Sequence, residues 1–420
     1  MDTIVASKLL IVEGADEEPR AAARIARLRE CIEAGEALCV DDAELEQIVA
    51  NELPPPLVSR RHGMHADFEP VVILNRFRFD DPEPERERRR EAFPNLDRLK
   101  LLGYTGFDGQ DRLPDWAAQT GYVCQPHYAL HTVRGCPFRC AYCQLAHYIN
   151  VMVNVEDLVD RLDGYLDSKT AQRLFQWDNW TDPVCFEPEY GAAELLVEYF
   201  ADRPNRFLEV YVGKSDNVDF LLDLDHGGQT VCCWSLSGPT QSRFFEHRTA
   251  AMEDRIGAMR RCEEAGYTVR VRFSPIIPVK GWREENRRMV RRLCEAVSPD
   301  LFTLESHRFQ DYAAIVESFD TDLLDEEFLD VMRASRGREV SPFYVVPDDY
   351  RAGIYEVLFD ELDRVAPDIP RAFCRENRSM WERFADYLGQ YGQSPTRFVC
   401  NCGPRSVPAE ASGHRRRRDV

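Results

Sequence analysis

The sequence predicts an α/β fold built on a central parallel sheet. Three observations carry this expectation. Short apolar runs alternate with segments of helical periodicity from about residue 128 to about residue 305. The alternation yields six strands with intervening helices, as repeated βα units require. No run of about 18 apolar residues exists, so no transmembrane helix is expected.

Each element has its own local reason. Tyr128–Arg134 is a short apolar strand that runs into a cysteine-rich loop. Val155–Leu166 then shows helical periodicity. Arg173–Trp177 reads as the second strand, Ala192–Phe200 as a helix and Phe207–Val212 as the third strand. Val218–Leu224 is a short helix and Thr230–Leu236 the fourth strand. Glu253–Ala265 is a helix closed by Gly266, the residue type that ends helices in a left-handed conformation. Tyr267–Ile277 is the fifth strand, Glu284–Ala296 a helix and Leu301–Glu305 the sixth strand.

The flanks are less regular. Residues 1–120 read as an N-terminal extension of mixed structure, with short helices at Ala21–Ala34 and Asp42–Leu53. Pro54-Pro55-Pro56 and the charged run Asp80–Arg90 read as linker or surface. Residues 121–315 hold the βα units. Residues 316–404 form a C-terminal helical region, with patterns at Tyr350–Val365 and Ser379–Tyr391. Residues 405–420, with Arg415–Arg418, read as a disordered basic tail.

Composition narrows the function. The chain of 420 residues carries a net charge of −20, which argues against a DNA-tracking protein, since duplex binding draws on Lys and Arg contacts to phosphate. Fourteen cysteines without a secretory signal read as reduced thiols plus a metal site, hence a cytoplasmic protein.

The chemistry is concentrated in Cys136-Pro137-Phe138-Arg139-Cys140-Ala141-Tyr142-Cys143. Three cysteines at C-x3-C-x2-C spacing can each give a thiolate to one iron of a [4Fe–4S] cube, which usually takes four. The fourth iron is left for a ligand that is not protein. A zinc site is the competing reading, but zinc knuckles usually pair C-x2-C motifs into four ligands. The segment, with Tyr142 before the third cysteine, resembles the radical SAM superfamily. The resemblance implies a partial (βα)6 TIM-type barrel of the radical SAM type, with functional groups at the strand C-terminal ends. It also implies two cofactors, a [4Fe–4S] cluster and S-adenosylmethionine (AdoMet), with reductive cleavage to a 5′-deoxyadenosyl radical.

Roughly residues 125–315 are similar to a narrower group, the spore photoproduct lyases, which reverse a thymine dimer in DNA. The similarity runs from Arg134 through the cysteine loop to Leu158, then Val212-Gly213-Lys214, Cys233-Trp234-Ser235-Leu236-Ser237 and Glu264-Ala265-Gly266-Tyr267. It continues through Ser274-Pro275-Ile276-Ile277, Gly281-Trp282 and Glu305-Ser306-His307-Arg308-Phe309. It implies that Cys136, Cys140 and Cys143 ligate the cluster and that Lys214 meets the AdoMet carboxylate. Ser235 and Ser237 would lie beside AdoMet, and His307 and Arg308 would face the cavity.

The departures from that group bear on the substrate. The position of the lyase's hydrogen-donating cysteine is held by Asn179. Of its two relay tyrosines, Tyr142 keeps the first and Gln144 replaces the second. Only a weak counterpart of the lyase's lesion-wedging hairpin exists, around Arg336–Tyr344. Cys185, six residues after Asn179, is a candidate replacement donor. Trp177, Asp178 and Trp180 suggest a polar–aromatic wall over a substrate. The expected function is hydrogen abstraction from a small molecule or peptide, leading to C–C cleavage, rearrangement or modification. True dimer repair with Cys185 as donor is the alternative. A non-catalytic cluster- or AdoMet-binding sensor is an alternative of another class. The expected partner is an electron donor such as flavodoxin or ferredoxin.

Overall fold

All six expected strands lie in one parallel sheet, in strict chain order. A computed structural model describes residues 1–53, 69–110, 121–124, 127–143, 145, 148–169, 172–308, 310–335 and 346–401. We label the parallel strands β1 (His127–Leu130), β2 (Leu174–Trp177), β3 (Phe207–Gly213), β4 (Thr230–Ser235), β5 (Thr268–Ile276), β6 (Leu301–Ser306) and β7 (Arg371–Phe373). Each pairs in parallel with the next. The edges remain open: β7 ends one side, and an antiparallel strand, Phe107–Gln110, covers β1 on the other. Sequential order with helices between strands is the winding of an open (βα) barrel. The sequence reading missed β7, whose three residues are too few to show a period.

Strands β2, β4 and β6 are buried along their whole length, as strands covered on both faces are. Helices Ala192–Ala201, Met252–Glu264, Trp282–Ala296 and Asp348–Val365 pack outside. The barrel interior is partly polar. Glu209 on β3 accepts from Gln176 on β2 at 2.7 Å, and Asn401 reaches Cys233 on β4 at 2.7 Å. Cys233 therefore faces inward, while its neighbour Cys232 lies against Cys262 on the outer side.

A second sheet forms from the N-terminal residues. Strands Ala37–Val40, Lys8–Val12, Val71–Asn75 and Tyr148–Met152 lie parallel in that spatial order, with Val133–Arg134 antiparallel at the edge. Alternation explains its two faces. Leu9, Val72 and Leu74 join Ala21, Ile25 and Leu28 of helix Pro19–Glu30 in the main core. Leu10, Val12, Val71 and Ile73 join Leu45 and Val49 of helix Asp42–Glu52 in a separate core.

Several local expectations are corrected. Tyr128–Arg134 is not one strand: it breaks at His131 and Thr132, and Val133–Arg134 enters the other sheet. Val155–Leu166 divides into helices Val155–Val159 and Leu162–Ser168. Asp80–Arg90, read as linker or surface, is surface but not linker: it contains the largely exposed helix Glu83–Ala92, with Pro84 in its first turn. Its Arg89 is buried and reaches Asp81 at 3.1 Å and, from the next layer, Asp42. Pro54-Pro55-Pro56, Gln144, Phe309, Arg336–Tyr344 and 405–420 lie outside the described residues.

Candidate active site

The cysteine loop leaves strand Val133–Arg134, just beyond β1, through Gly135. Its φ of +94° is open to glycine, and a Cβ there would sit 1.7 Å from the Tyr148 carbonyl oxygen. The loop is then held by short backbone pairs. Cys136 N–H donates to Leu145 at 2.9 Å, Cys143 N–H to Cys140 at 2.9 Å and Ala141 N–H to Phe245 at 2.8 Å. Arg139–Cys140 also pairs antiparallel with Glu246–His247. Cys136 and Cys140 are buried and Cys143 is partly exposed. Burial pushes the Cys136 and Cys140 thiols well up. Such thiols become thiolates only beside a compensating positive charge, as a metal centre supplies. No three His, Cys, Asp or Glu side chains among the described residues converge on one ion. A cube, by contrast, takes each thiolate on a different iron.

Lys214 sits at the end of β3, one residue past Gly213, and is buried. Gly213 makes room for a neighbour: a Cβ there would lie 1.2 Å from Asp182 Oδ1. That oxygen accepts the Lys214 N–H at 3.0 Å, and Asp182 Oδ2 lies 3.7 Å from the Cys136 thiol. Burial raises the Asp182 carboxyl to about 6, against the pull of Lys214. The Lys214 ammonium lies 5.6 Å from the centre of the Tyr142 ring. Burial disfavours this charge, but Glu246 and Cys140 outweigh it and raise the pKa.

Glu246 organises the floor under this group, and sequence reasoning missed it. It pairs with Arg255 at 2.7 Å, both side chains being fully buried. It accepts from Tyr142 at 2.6 Å, Ser237 at 2.8 Å and Gln241 at 2.9 Å. Burial would raise its pKa, yet Arg255 and Lys214 bring it down to about 2. The only sequence signal was a carboxylate inside an otherwise basic and aromatic run, Arg243–Arg248.

A cavity of about 400 Å³ opens over these residues at the strand C-terminal ends. Tyr142, Cys143 and Lys214 line one part, and Asp108, Asn179 and Trp180 another. Beyond them lie Tyr211 and Ser235, whose hydroxyls are 3.1 Å apart, and a charged group around Glu305. Glu305 accepts from Ser274 at 2.7 Å and pairs with Arg272 at 3.1 Å and with Arg308. A larger cavity of about 820 Å³ lies at the N-terminal sheet, but no thiol lines it.

The expected site residues divide accordingly. Cys143, Tyr142, Lys214, Ser235, Asn179, His307 and Arg308 come together at the cavity. Asn179 Oδ1 is buried there without a hydrogen bond. His307 is also packed edge-on against Phe319 and Phe328. Ser237 is taken up by Glu246. Trp177 does not form a substrate wall: it is fully buried and donates to Thr132 at 2.9 Å. Asp178 is also fully buried, bonded to His131 at 2.6 Å and to the Trp180 N–H at 2.9 Å. Asp178 thus braces this turn from behind, while Asn179 and Trp180 line the cavity. Cys185 lines a different cleft, with Phe138 and the N-terminal residues.

The residues present fit the expected cofactor pair. Three thiols lie on one short loop whose Cys143 lines the cavity, and the buried Lys214 ammonium forms no ion pair among the described residues, so a ligand carboxylate would complete it. Fold and site together define a protein of the radical SAM class. A family model described as spore photoproduct lyase matches residues 123–369, and the chain belongs to that family. Similar curated proteins are spore photoproduct lyases of Clostridium acetobutylicum and Bacillus subtilis. The first is 28% identical over 44% of this chain and 59% of its own length; the second is 29% identical over 57% and 74%. The chain thus spans about three fifths of the Clostridium relative that it matches. A solved spore photoproduct lyase variant with bound AdoMet and dinucleoside spore photoproduct shares the fold. Its TM-score is 0.61 at 17% identity, covering 89% of this chain and 99% of that one.

Proposed function

We propose that this protein is a radical SAM enzyme that abstracts hydrogen from an organic substrate held in the cavity at the barrel mouth. The observation that carries the reading is the meeting of the three-cysteine loop with the buried ammonium of Lys214, which forms no ion pair among the described residues. When bound, the cluster and AdoMet supply a 5′-deoxyadenosyl radical after one-electron reduction. Cys136, Cys140 and Cys143 would hold the cluster, and Lys214 the AdoMet carboxylate. Glu246 keeps Lys214 charged and fixes Tyr142 below it. Asn179, Trp180 and Asp108 face the remaining space and orient the substrate.

The substrate proposed is a small molecule or a peptide segment. Asn179 stands where the repair lyases have a donor thiol, and an amide N–H is too strong a bond for that step. Cys185 faces a separate cleft, which weighs against its acting as a substitute. A second reading, thymine-dimer repair, is favoured by the family and by the likeness to a lyase that binds a dinucleoside photoproduct.

Anaerobic reconstitution with iron, sulfide, dithionite and AdoMet tests the function. We expect 5′-deoxyadenosine, and its absence from intact, cluster-loaded protein would overturn the proposal. Cys140→Ala should lose both the brown chromophore and the cleavage. Adding dinucleoside spore photoproduct separates the two readings, since release of thymine dinucleoside would establish repair.

A further inference from the structure

We infer that the exposed segment beside the cysteine loop is the docking surface for an acidic one-electron carrier protein. The inference rests on the proposed function, which requires one electron for each AdoMet cleaved.

Strand Glu246–His247 pairs directly with Arg139–Cys140, so one strand separates solvent from a cluster-loop cysteine. The segment turns Phe245 and Glu246 inward, where both are buried. It turns Arg243, Phe244, His247 and Arg248 outward, all exposed. Phe244 is 42% exposed, and it is among the few exposed large apolar side chains of the described residues. The Arg243 guanidinium lies 5.1 Å from its ring centre. Arg243, His247 and Arg248 form no ion pair among the described residues, unlike Arg283, Arg287, Arg288, Arg291 and Arg292 on helix Trp282–Ala296. Arg248 also borders the cleft that Phe138 of the cysteine loop lines.

The occupant follows from charge. The chain as a whole carries −20, so its general field repels an acidic protein. A local cluster of unpaired basic groups around an exposed aromatic ring reverses that field at one place. Complementary potentials set encounter rate and orientation, and aromatic and Arg side chains are typical interface anchors. The carrier class is that of reduced flavodoxins and ferredoxins. One electron leaves the carrier, which is oxidised by one electron, and is consumed in one reductive cleavage of AdoMet. No atom is transferred between the proteins.

The test compares two reductants on the reconstituted full-length protein. We expect Arg243→Glu/Arg248→Glu to form 5′-deoxyadenosine with dithionite within about twofold of the parent, because a small reductant needs no docking. With enzymatically reduced flavodoxin, the rate should fall by roughly tenfold or more. The parent's flavodoxin-driven rate should also drop more steeply with salt than the variant's. Arg288→Glu, on helix Trp282–Ala296 where Arg288 is already ion-paired with Glu284, should leave both rates unchanged. An unchanged flavodoxin-driven rate in the double variant, or an equal loss in Arg288→Glu, overturns the docking surface. Failure of the parent to cleave AdoMet with dithionite would remove the proposed function itself, and the inference with it.

Discussion

The phenolic hydroxyl of Tyr142 donates to Glu246 Oε1 at 2.6 Å. A motif residue of the cysteine loop is thereby tied to a carboxylate 104 positions later in the chain. The same carboxylate holds Arg255 and Ser237, so loop position and site charge depend on one group.

Glu246→Gln should therefore destabilise the protein by about 3–5 kcal/mol, because Arg255 would be left buried without its counter-charge. Thermal or denaturant unfolding of the apoprotein measures this. The carboxyl is held at about 2, below its ordinary 4.5. Its stabilisation is thus complete above pH 4.5 and is lost as pH falls through about 2. A Glu246→Gln protein as stable as the parent at pH 7 would contradict the assignment.

Lys214→Met keeps the side-chain length and removes the ammonium. AdoMet affinity should fall by about tenfold or more, the cost typical of losing a buried charge partner. Calorimetric titration of cluster-loaded protein reads it directly, while the melting temperature should hold. Unaltered AdoMet binding would dismiss Lys214 as the carboxylate partner.

Glu209→Gln should stabilise the barrel at alkaline pH. Burial lifts this carboxyl from 4.5 to about 7, so the folded state binds its proton more tightly than the unfolded state. Parent stability therefore declines as pH rises from about 4.5 to about 7 and remains lower above it. The corresponding gain for the variant at pH 8 is on the order of 3 kcal/mol, vanishing below pH 4. Gln176, which donates to Glu209 at 2.7 Å, can still donate to the amide oxygen. Parallel unfolding curves at pH 4 and pH 8 check the sign.

Cys185→Ala should leave the yield of 5′-deoxyadenosine and the product pattern unchanged, because the thiol opens on a cleft apart from the substrate cavity. Mass spectrometry of products formed in heavy water is the measurement. A changed deuterium content would return Cys185 to the mechanism.

Much of this architecture was legible because the βα units repeat and most of their strand positions are apolar. The three cysteines stood out by their local spacing, and Lys214 only through the family resemblance. Glu246 and Asp182 did not stand out, since their roles come from contacts 104 and 46 positions away in sequence. Trp177 misled because aromatic residues at a strand end serve core and cavity equally well, and only the side taken decides. The N-terminal sheet escaped because one of its central strands, Tyr148–Met152, lies beyond the cysteine loop.

That strand has a further consequence. The cysteine loop departs from Val133–Arg134 and returns at Tyr148–Met152, and these two strands pair with each other in the N-terminal sheet. The loop is therefore a hairpin excursion staked at both feet outside the barrel it serves. Grafting the barrel alone into another protein would leave the feet unsupported. The cysteine element and the N-terminal sheet are thus one structural unit, whose removal from either side would unseat the other.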